Sequence, residues 1–371
     1  MNTLQMKALV YKGQGRMSVE DRPVPHLASP SDALVKMRHT TICGTDLHIL
    51  KGDVPAVKPN RVIGHEGVGT LIGKGSAVTG LHIGDTVLIS SISACGVCKS
   101  CRKGLNAHCV DGGWVLGNKI DGTHAEYVRI PHATTSLYKL PANINPAAAV
   151  ALSDALPTGM ECGAISAAVQ PGHLVAIVGA GPVGLAALLS AKLYTPAKIV
   201  VIDKNETRLE YARRIGVDLA INADTSDLMK ELHRITEGSG FDSVIEAVGI
   251  PSTFELCQQL VAPGGTIANV GVHGRKVDLQ LDQLWDRNIS IKTQLVNSHS
   301  IPTLLRLSQA GLISPETIVT HSFPFSDIAG AYASFQDAAE LGTLKVKIDF
   351  EQDDKEKAAA MFRRRSSSLH Y

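Results

Sequence analysis

The chain has 371 residues, enough for two or three domains that each bury a core of their own. Its 36 basic and 35 acidic side chains leave a formal charge of +1, so no global field recruits polyanions or a membrane surface. An aromatic content of 4% argues against a base-stacking face for nucleic acid, while 44% hydrophobic residues and 34 glycines suit an α/β enzyme acting on a neutral small molecule.

Met1 to Gly15 holds Lys7 and Lys12 but no apolar run of signal-peptide length, so a cytoplasmic setting with reduced thiols is expected. Up to about residue 157, β-rich runs at Ala33 to Met37, Gly67 to Ile72 and Thr86 to Ser90 alternate with Gly and Pro breaks and predict a mostly β domain. Within it, Cys95, Cys98, Cys101 and Cys109 follow a C-x2-C-x2-C-x7-C spacing that suits one tetrahedral zinc, with Gly96 and Gly104 letting the loop wrap the ion. A pair of disulfides is the alternative, and a reducing compartment disfavours it. Four protein ligands leave no open coordination position, so this site is expected to brace the fold, and the chemistry belongs elsewhere.

From about His173 the rhythm changes to strand (Leu174 to Val178), helix (Val183 to Leu193), strand (Ile199 to Ile202) and helix (Arg208 to Ile215). Strand candidates at Ser243 to Glu246, Thr266 to Val270 and Ile289 to Lys292 continue it, with Pro263-Gly264-Gly265 expected as a turn, and a doubly wound parallel sheet follows. The apolar run Leu174 to Ala191 is long enough to raise a membrane span. Its breaks at Gly179, Gly181, Pro182 and Gly184 read instead as a strand, a turn and a buried helix face, so no membrane partner is expected. Gly179 to Gly184, including Pro182 and Val183, match G-x-G-x-x-G, a loop whose backbone and following helix N-terminus receive a diphosphate. Asp203 ends the next strand, where a carboxylate accepts both ribose hydroxyls and repels a 2′-phosphate. That favours NAD, while Lys204 and Arg208 keep NADP open; Arg208 and Val270 join the candidate cofactor-binding residues. Past residue 298, an amphipathic helix (Ile301 to Ala310) and a strand (Leu344 to Ile348) start no new βαβ unit and are expected to return to the first domain. Residues 351 to 371, acidic and then basic at Arg363 to Arg365, read as a solvated mobile tail.

A second constellation is scattered: Cys43-Gly44-Thr45-Asp46-Leu47-His48, then Gly64-His65-Glu66, then Asp154 before Thr158-Gly159. Singly these residues are ordinary core, cap or surface positions. Together with a nucleotide loop they suggest ligands of a catalytic zinc with an open fourth position, although spacing alone does not assign them.

The order of these motifs resembles the zinc-dependent medium-chain alcohol dehydrogenase family over nearly the whole chain. The resemblance is carried by Gly64-His65-Glu66 with Gly69, Gly75, Val78, Gly84-Asp85 and Val87, by the cysteine quartet, and by the glycine loop with Asp203. It is nearest to microbial secondary alcohol dehydrogenases, through Cys-Gly-Thr-Asp at 43 to 46 and Asp-x-x-x-Thr-Gly from Asp154. The family implies an α/β protein: a mostly β, GroES-like catalytic domain at 1–157 with a structural-zinc lobe, and a Rossmann-type cofactor domain at 158–298. Residues 299–350 would return to the catalytic domain, and 351–371 would form the tail. It also implies two zincs per chain, the catalytic one on Cys43, His65 and Asp154 with Glu66 as an occasional extra ligand, and Asp46 orienting His65. Thr45 would contact the alcohol oxygen, His48 would relay its proton to solvent, Trp114 would line the substrate pocket with Ile92 and Leu116 nearby, and Lys345 would reach the diphosphate. The reaction so implied is hydride transfer between a small aliphatic alcohol, secondary by preference, and NAD, in a homotetramer rather than a dimer. Formaldehyde and polyol or butanediol dehydrogenases on the same scaffold are the alternatives.

Overall fold

In the computed structural model, residues 4–350 are described, and the tail at 351–371 lies outside them. The chain divides into two compact units, each built around its own core. The first runs through Ser153 and takes up the chain again at Val319–Ala338 and from Lys345; the second comprises Asp154–Ile318 and Ala339–Leu344. The helix Ile301–Gln309 therefore stays with the second unit, and the return begins at Val319, later in the chain than the expected 299. Ile301, Leu304 and Leu305 explain this, because their buried stripe belongs to the second unit.

In the first unit the central strand is Ala33–Ile42. It pairs antiparallel with Gly67–Lys74, Tyr127–Ile130 and Lys345–Asp349, and the sheet extends through Thr86–Ile89 and Leu137–Lys139 on one side and Val319–Pro324 on the other. Ala33, Val35 and Met37 alternate inward as a half-buried strand requires, whereas His39 to Ile42 are buried on both faces. Thr40 and Thr41 thus enter the interior with hydroxyls that need partners, and they find them in the candidate site. A smaller sheet places Gln5–Gly13 between Arg16–Pro23 and Arg61–Val62. Its hairpin turns at Gly13, whose φ of 114° suits glycine.

The second unit is a six-stranded parallel sheet in the spatial order Leu219–Asn222, Lys198–Asp203, Leu174–Val178, Phe241–Glu246, Val261–Asn269, Ser290–Thr293. Chain order reverses between Leu174–Val178 and Phe241–Glu246, the crevice at which doubly wound sheets bind ligands. The apolar run from Leu174 resolves into a buried strand and the helix Pro182–Lys192, and among the described residues no helix is long and apolar enough to cross a membrane. The helix Glu206–Ile215 begins at Asn205, whose Oδ1 accepts the Arg208 N–H at 3.0 Å, and ends at Gly216 with φ 86°. Pro263-Gly264-Gly265 is not a turn ahead of a strand but an interruption within Val261–Asn269. There the pairing steps from Phe241 against Val261 to Ser243 against Thr266.

Candidate active site

Cys43 sits just ahead of the helix Gly44–Lys51, with its N–H donating to Asp46 Oδ2 at 2.8 Å. Asp46 is fully buried, and its other oxygen, Oδ1, lies 4.0 Å from His65 Nδ1 with no hydrogen-bond partner among the described residues. The separation exceeds a hydrogen bond, so Asp46 caps the helix through one oxygen and faces the His65 ring electrostatically through the other. Thr45 Oγ1 is 3.7 Å from Cys43 Sγ. On the same helix, His48 is 39% exposed and its Nδ1 meets Asp53 Oδ2 at 2.9 Å, leaving Nε2 for exchange with solvent.

His65 and Glu66 lie just ahead of the strand Gly67–Lys74, both buried. Gly64 before them has φ 91°, and a Cβ there would come 2.4 Å from the His124 ring. His124 itself is fully buried, its Nε2 donating to the Thr41 carbonyl at 3.1 Å and its Nδ1 3.2 Å from the Tyr332 hydroxyl. A carbonyl only accepts, so Nε2 carries the hydrogen and Nδ1 is left to accept from Tyr332, which is the neutral ring. Burial agrees: it depresses the His124 pKa and raises that of Tyr332.

Asp154 follows Ser153, which fixes the chain to the Gly67 strand: the Gly67 N–H donates to Ser153 Oγ at 3.0 Å, and the Ser153 hydroxyl reaches the Gly67 carbonyl at 3.2 Å. One ligand atom each from Cys43, His65, Glu66 and Asp154 falls within 4.8 Å of the others. A thiol, an imidazole and carboxylates gathered that closely suit a zinc ion, and with Cys43, His65 and Asp154 as its ligands one position would be left for substrate. The Trp114 ring packs edge-on to His65, with centroids 6.1 Å apart, while Ile92 and Leu116 are core residues, 3% and 0% exposed. Of the apolar wall expected here, Trp114 is placed against a ligand residue by this ring contact.

Lys345 has surroundings other than those expected. It is 2% exposed, and its Nζ bonds Glu66 Oε1 and Oε2 at 2.5 and 2.6 Å, with Thr41 Oγ1 at 3.4 Å. The Thr41 hydroxyl also donates to Glu66. The reading of Lys345 as a diphosphate ligand is corrected accordingly: an ammonium this buried needs a fixed counter-ion, and Glu66 is that ion. Sequence patterning gives no sign of Thr41, His124 or Tyr332; Asp53, close behind His48, is the one partner that proximity could suggest.

Cys95, Cys98, Cys101 and Cys109 converge to the same tolerance in the loop Cys95–Cys109. The Cys95 N–H points at Cys109 Sγ, 3.2 Å away, and Cys98 and Cys101 sulfurs are 3.5 Å apart. Backbone N–H groups of Cys101 and Val110 lower the Cys98 thiol to about 6, while desolvation lifts Cys101 to about 12. Thiols so close cannot all ionise unless a cation sits among them, which is the chemistry of a closed zinc site.

At the glycine loop the third glycine is indispensable, since a Cβ on Gly184 would stand 1.9 Å from the Gly179 carbonyl oxygen. Pro182 and Val183 open the helix behind it. Asp203 Oδ2 accepts the Ala180 N–H at 2.6 Å and Oδ1 that of Asn205 at 2.8 Å, so the carboxylate stands beside the loop. Arg208 comes within 4.0 Å of a Cβ on Gly181, and its buried Nε has no hydrogen-bond partner among the described residues. The Val270 N–H donates to the Glu246 carbonyl at 2.8 Å, at the carboxyl ends of their strands. A tight glycine cradle with a carboxylate and a guanidinium at its rim fits a dinucleotide.

Two family profiles match the chain: an alcohol dehydrogenase GroES-like domain over residues 29–142 and a zinc-binding dehydrogenase domain over 182–310. An alcohol dehydrogenase of Cupriavidus necator is 35% identical over 366 residues, covering 93% of this chain and 99% of that protein. The chain belongs to the zinc-dependent medium-chain alcohol dehydrogenase family. Among solved structures, zinc-dependent alcohol dehydrogenase 2 from Streptococcus pneumoniae, in its apo form, matches with TM-score 0.89 and 46% identity over 93% of this chain and 98% of that one. The alcohol dehydrogenase of Thermus sp. ATN1 matches with TM-score 0.86 and 35% identity over 93% and 99%. The fold is that of this dehydrogenase family, a GroES-like unit with a Rossmann-type sheet, and the activity it supports is oxidation of an alcohol.

Proposed function

We propose that the chain interconverts small aliphatic alcohols, secondary ones by preference, with their carbonyl products, using NAD and two zinc ions per chain. The observation that carries this is the convergence of Cys43, His65 and Asp154 against the indole of Trp114, an open donor set beside an apolar wall. Bound there, zinc supplies the Lewis acidity that makes an alcohol hydroxyl ionise near neutral pH. Thr45 Oγ1, beside Cys43, accepts the hydroxyl proton and passes its own on towards His48, whose Nδ1 contact with Asp53 orients Nε2 to solvent. Trp114 excludes water and takes the alkyl groups, which favours a small apolar substrate over a polyol. Lys345 and the Thr41 hydroxyl hold Glu66 beside the ligand set. Bound at the glycine loop, NAD would supply the acceptor for the hydride of the carbinol carbon, so that the alcohol loses one proton and one hydride as the carbonyl forms.

Asp203 supports NAD over NADP, because a carboxylate beside the loop repels a 2′-phosphate. A panel of propan-2-ol, ethanol, sorbitol and formaldehyde, each with NAD and with NADP and followed by absorbance of the reduced cofactor, tests the whole reading. Propan-2-ol with NAD is expected to give the highest kcat/KM. Sorbitol or formaldehyde as the best substrate moves the chain to the alternative branches of its family, and better turnover with NADP refutes the role of Asp203. A reducing cytoplasm is the compartment that suits the free thiols, and a homotetramer is the expected assembly, to be read from light scattering.

A further inference from the structure

Asp203 ends the strand on one side of the glycine loop. With the adenosine ribose at Asp203, the other half of the cofactor crosses the reversal of strand order and lies beyond the carboxyl ends of Phe241–Glu246, Val261–Asn269 and Ser290–Thr293. The chain leaving the last of these strands, residues 294–300, borders that half. It carries no regular structure until the helix Ile301–Gln309 begins, so side chains must set its course.

One side chain does most of this. Glu161 is 6% exposed, and its Oε2 accepts the Asn297 N–H at 2.8 Å. Its Oε1 accepts the Ser300 N–H at 2.8 Å and the Ser300 hydroxyl at 2.7 Å. Nearby, Ser166 Oγ is 3.1 Å from Gln294 Oε1, a second tie to the same segment. Glu161 lies in the π-helical turn Gly159–Ile165, which continues the helix Ala155–Thr158 that starts at Asp154. That turn packs closely on the helix behind the glycine loop, since a Cβ on Gly159 would come 2.4 Å from the Ala186 carbonyl carbon. The carboxylate is therefore anchored from behind by the cofactor helix and reaches forward to residues 294–300. An interior carboxylate amid Met160, Cys162 and Ala164 is costly to desolvate, and its bonds to the segment offset that cost.

We propose that Glu161 is a positioning residue for the nicotinamide half of the cofactor: it holds residues 294–300 against the Asp154 helix and so shapes the bed on which the nicotinamide lies. The proposal rests on the NAD reading above. It separates the two halves of the cofactor, because the adenosine half is received at Gly179 to Gly184 and Asp203, on which Glu161 makes no hydrogen bond.

The test compares NADH with ADP-ribose, which lacks the nicotinamide, as ligands of the zinc-loaded full-length protein. NADH binding is read from its fluorescence and ADP-ribose binding by competition or calorimetry. In Glu161→Gln the amide offers one acceptor oxygen and turns an NH2 towards an N–H donor. Its Kd for NADH is expected to rise about tenfold while that for ADP-ribose stays unchanged. Ser300→Ala, which removes only the hydroxyl bond and keeps the fold if Glu161→Gln does not, is expected to give a smaller rise of about threefold with the same selectivity. Equal weakening of both ligands in either variant, or no change for NADH in both, overturns the proposal. A wild-type protein that binds neither NADH nor ADP-ribose overturns the NAD reading, and the proposal with it.

Discussion

Replacing Lys345 by methionine removes the ammonium that sits 2.5 and 2.6 Å from the two oxygens of Glu66, a carboxylate 0% exposed that also meets the Thr41 hydroxyl and lies 3.8 Å from His65 Nε2. The volume change is small, so the loss is electrostatic rather than a cavity. Removing one partner of a buried pair costs about 3–5 kcal/mol, because the remaining charge loses its close counter-ion and regains no water. For a unit of this size that corresponds to a fall in Tm of about 10 °C. The measurement is thermal and urea unfolding of the wild type, Lys345→Met, Glu66→Gln and the double variant, all in EDTA so that metal binding does not contribute. The double variant is expected to recover most of the loss, since neither charge is then left buried alone, and the coupling in the cycle should exceed about 2 kcal/mol. A Lys345→Met protein as stable as wild type, or a double variant no better than it, refutes the account of Lys345 as the fixed counter-ion of Glu66.

The two metal sites should separate in their consequences. Cys98→Ser is expected to lower stability and zinc content together, whereas Cys43→Ala should fold normally, lose one zinc by elemental analysis and turn over at least about a hundredfold more slowly; the reverse pattern would overturn the assignment. His48→Gln should lower kcat several-fold, and an unchanged kcat would remove His48 from the proton path. Gly184→Ala must displace the loop at Gly179, so NADH affinity should fall more than about tenfold with zinc content intact. The depressed pKa of the buried His124 means that the unfolded chain binds more protons than the folded one. Stability should therefore fall as pH drops below the unfolded value of about 6.5. In His124→Gln that part of the slope should vanish from urea titrations, while a slope identical to wild type would place the acid sensitivity elsewhere.

Legibility in the sequence followed distance along the chain. The cysteine quartet and the glycine loop are contiguous, so their spacing alone places the ligands or the cradle. Strands such as Leu174–Val178 are legible for the same reason, being a short apolar run between breaks. The partnership of Glu66 with Lys345, 279 residues apart, has no local signature, because antiparallel pairing of Lys345–Asp349 with Ala33–Ile42 brings it about. That is why Lys345 could be placed on the right strand and given the wrong anion. Pro263-Gly264-Gly265 carries strong turn chemistry, yet the flanking Val261 and Thr266 both pair with the same neighbour and hold the interruption inside the strand. Glu161 did leave a trace, a single charge in the otherwise uncharged stretch from Ala155 to Gln170. A lone acid in such a run needs donors from elsewhere in the fold.

The compactness of the quartet bears on the order in which metal is acquired. Cys95 and Cys109 are 14 residues apart, so their loop closes at small entropic cost and can capture an ion before later parts of the chain exist. The open site has no such independence: Cys43, His65 and Asp154 come together only after the strand Gly67–Lys74 has paired and Ser153 has been tied to it. An ion at the quartet would thus take part in building the first unit, whereas one at the open site would be received only after its ligands have been brought together by folding. Under zinc limitation the chain should accumulate as a folded protein carrying the first ion and lacking the second, a pool that zinc alone can activate.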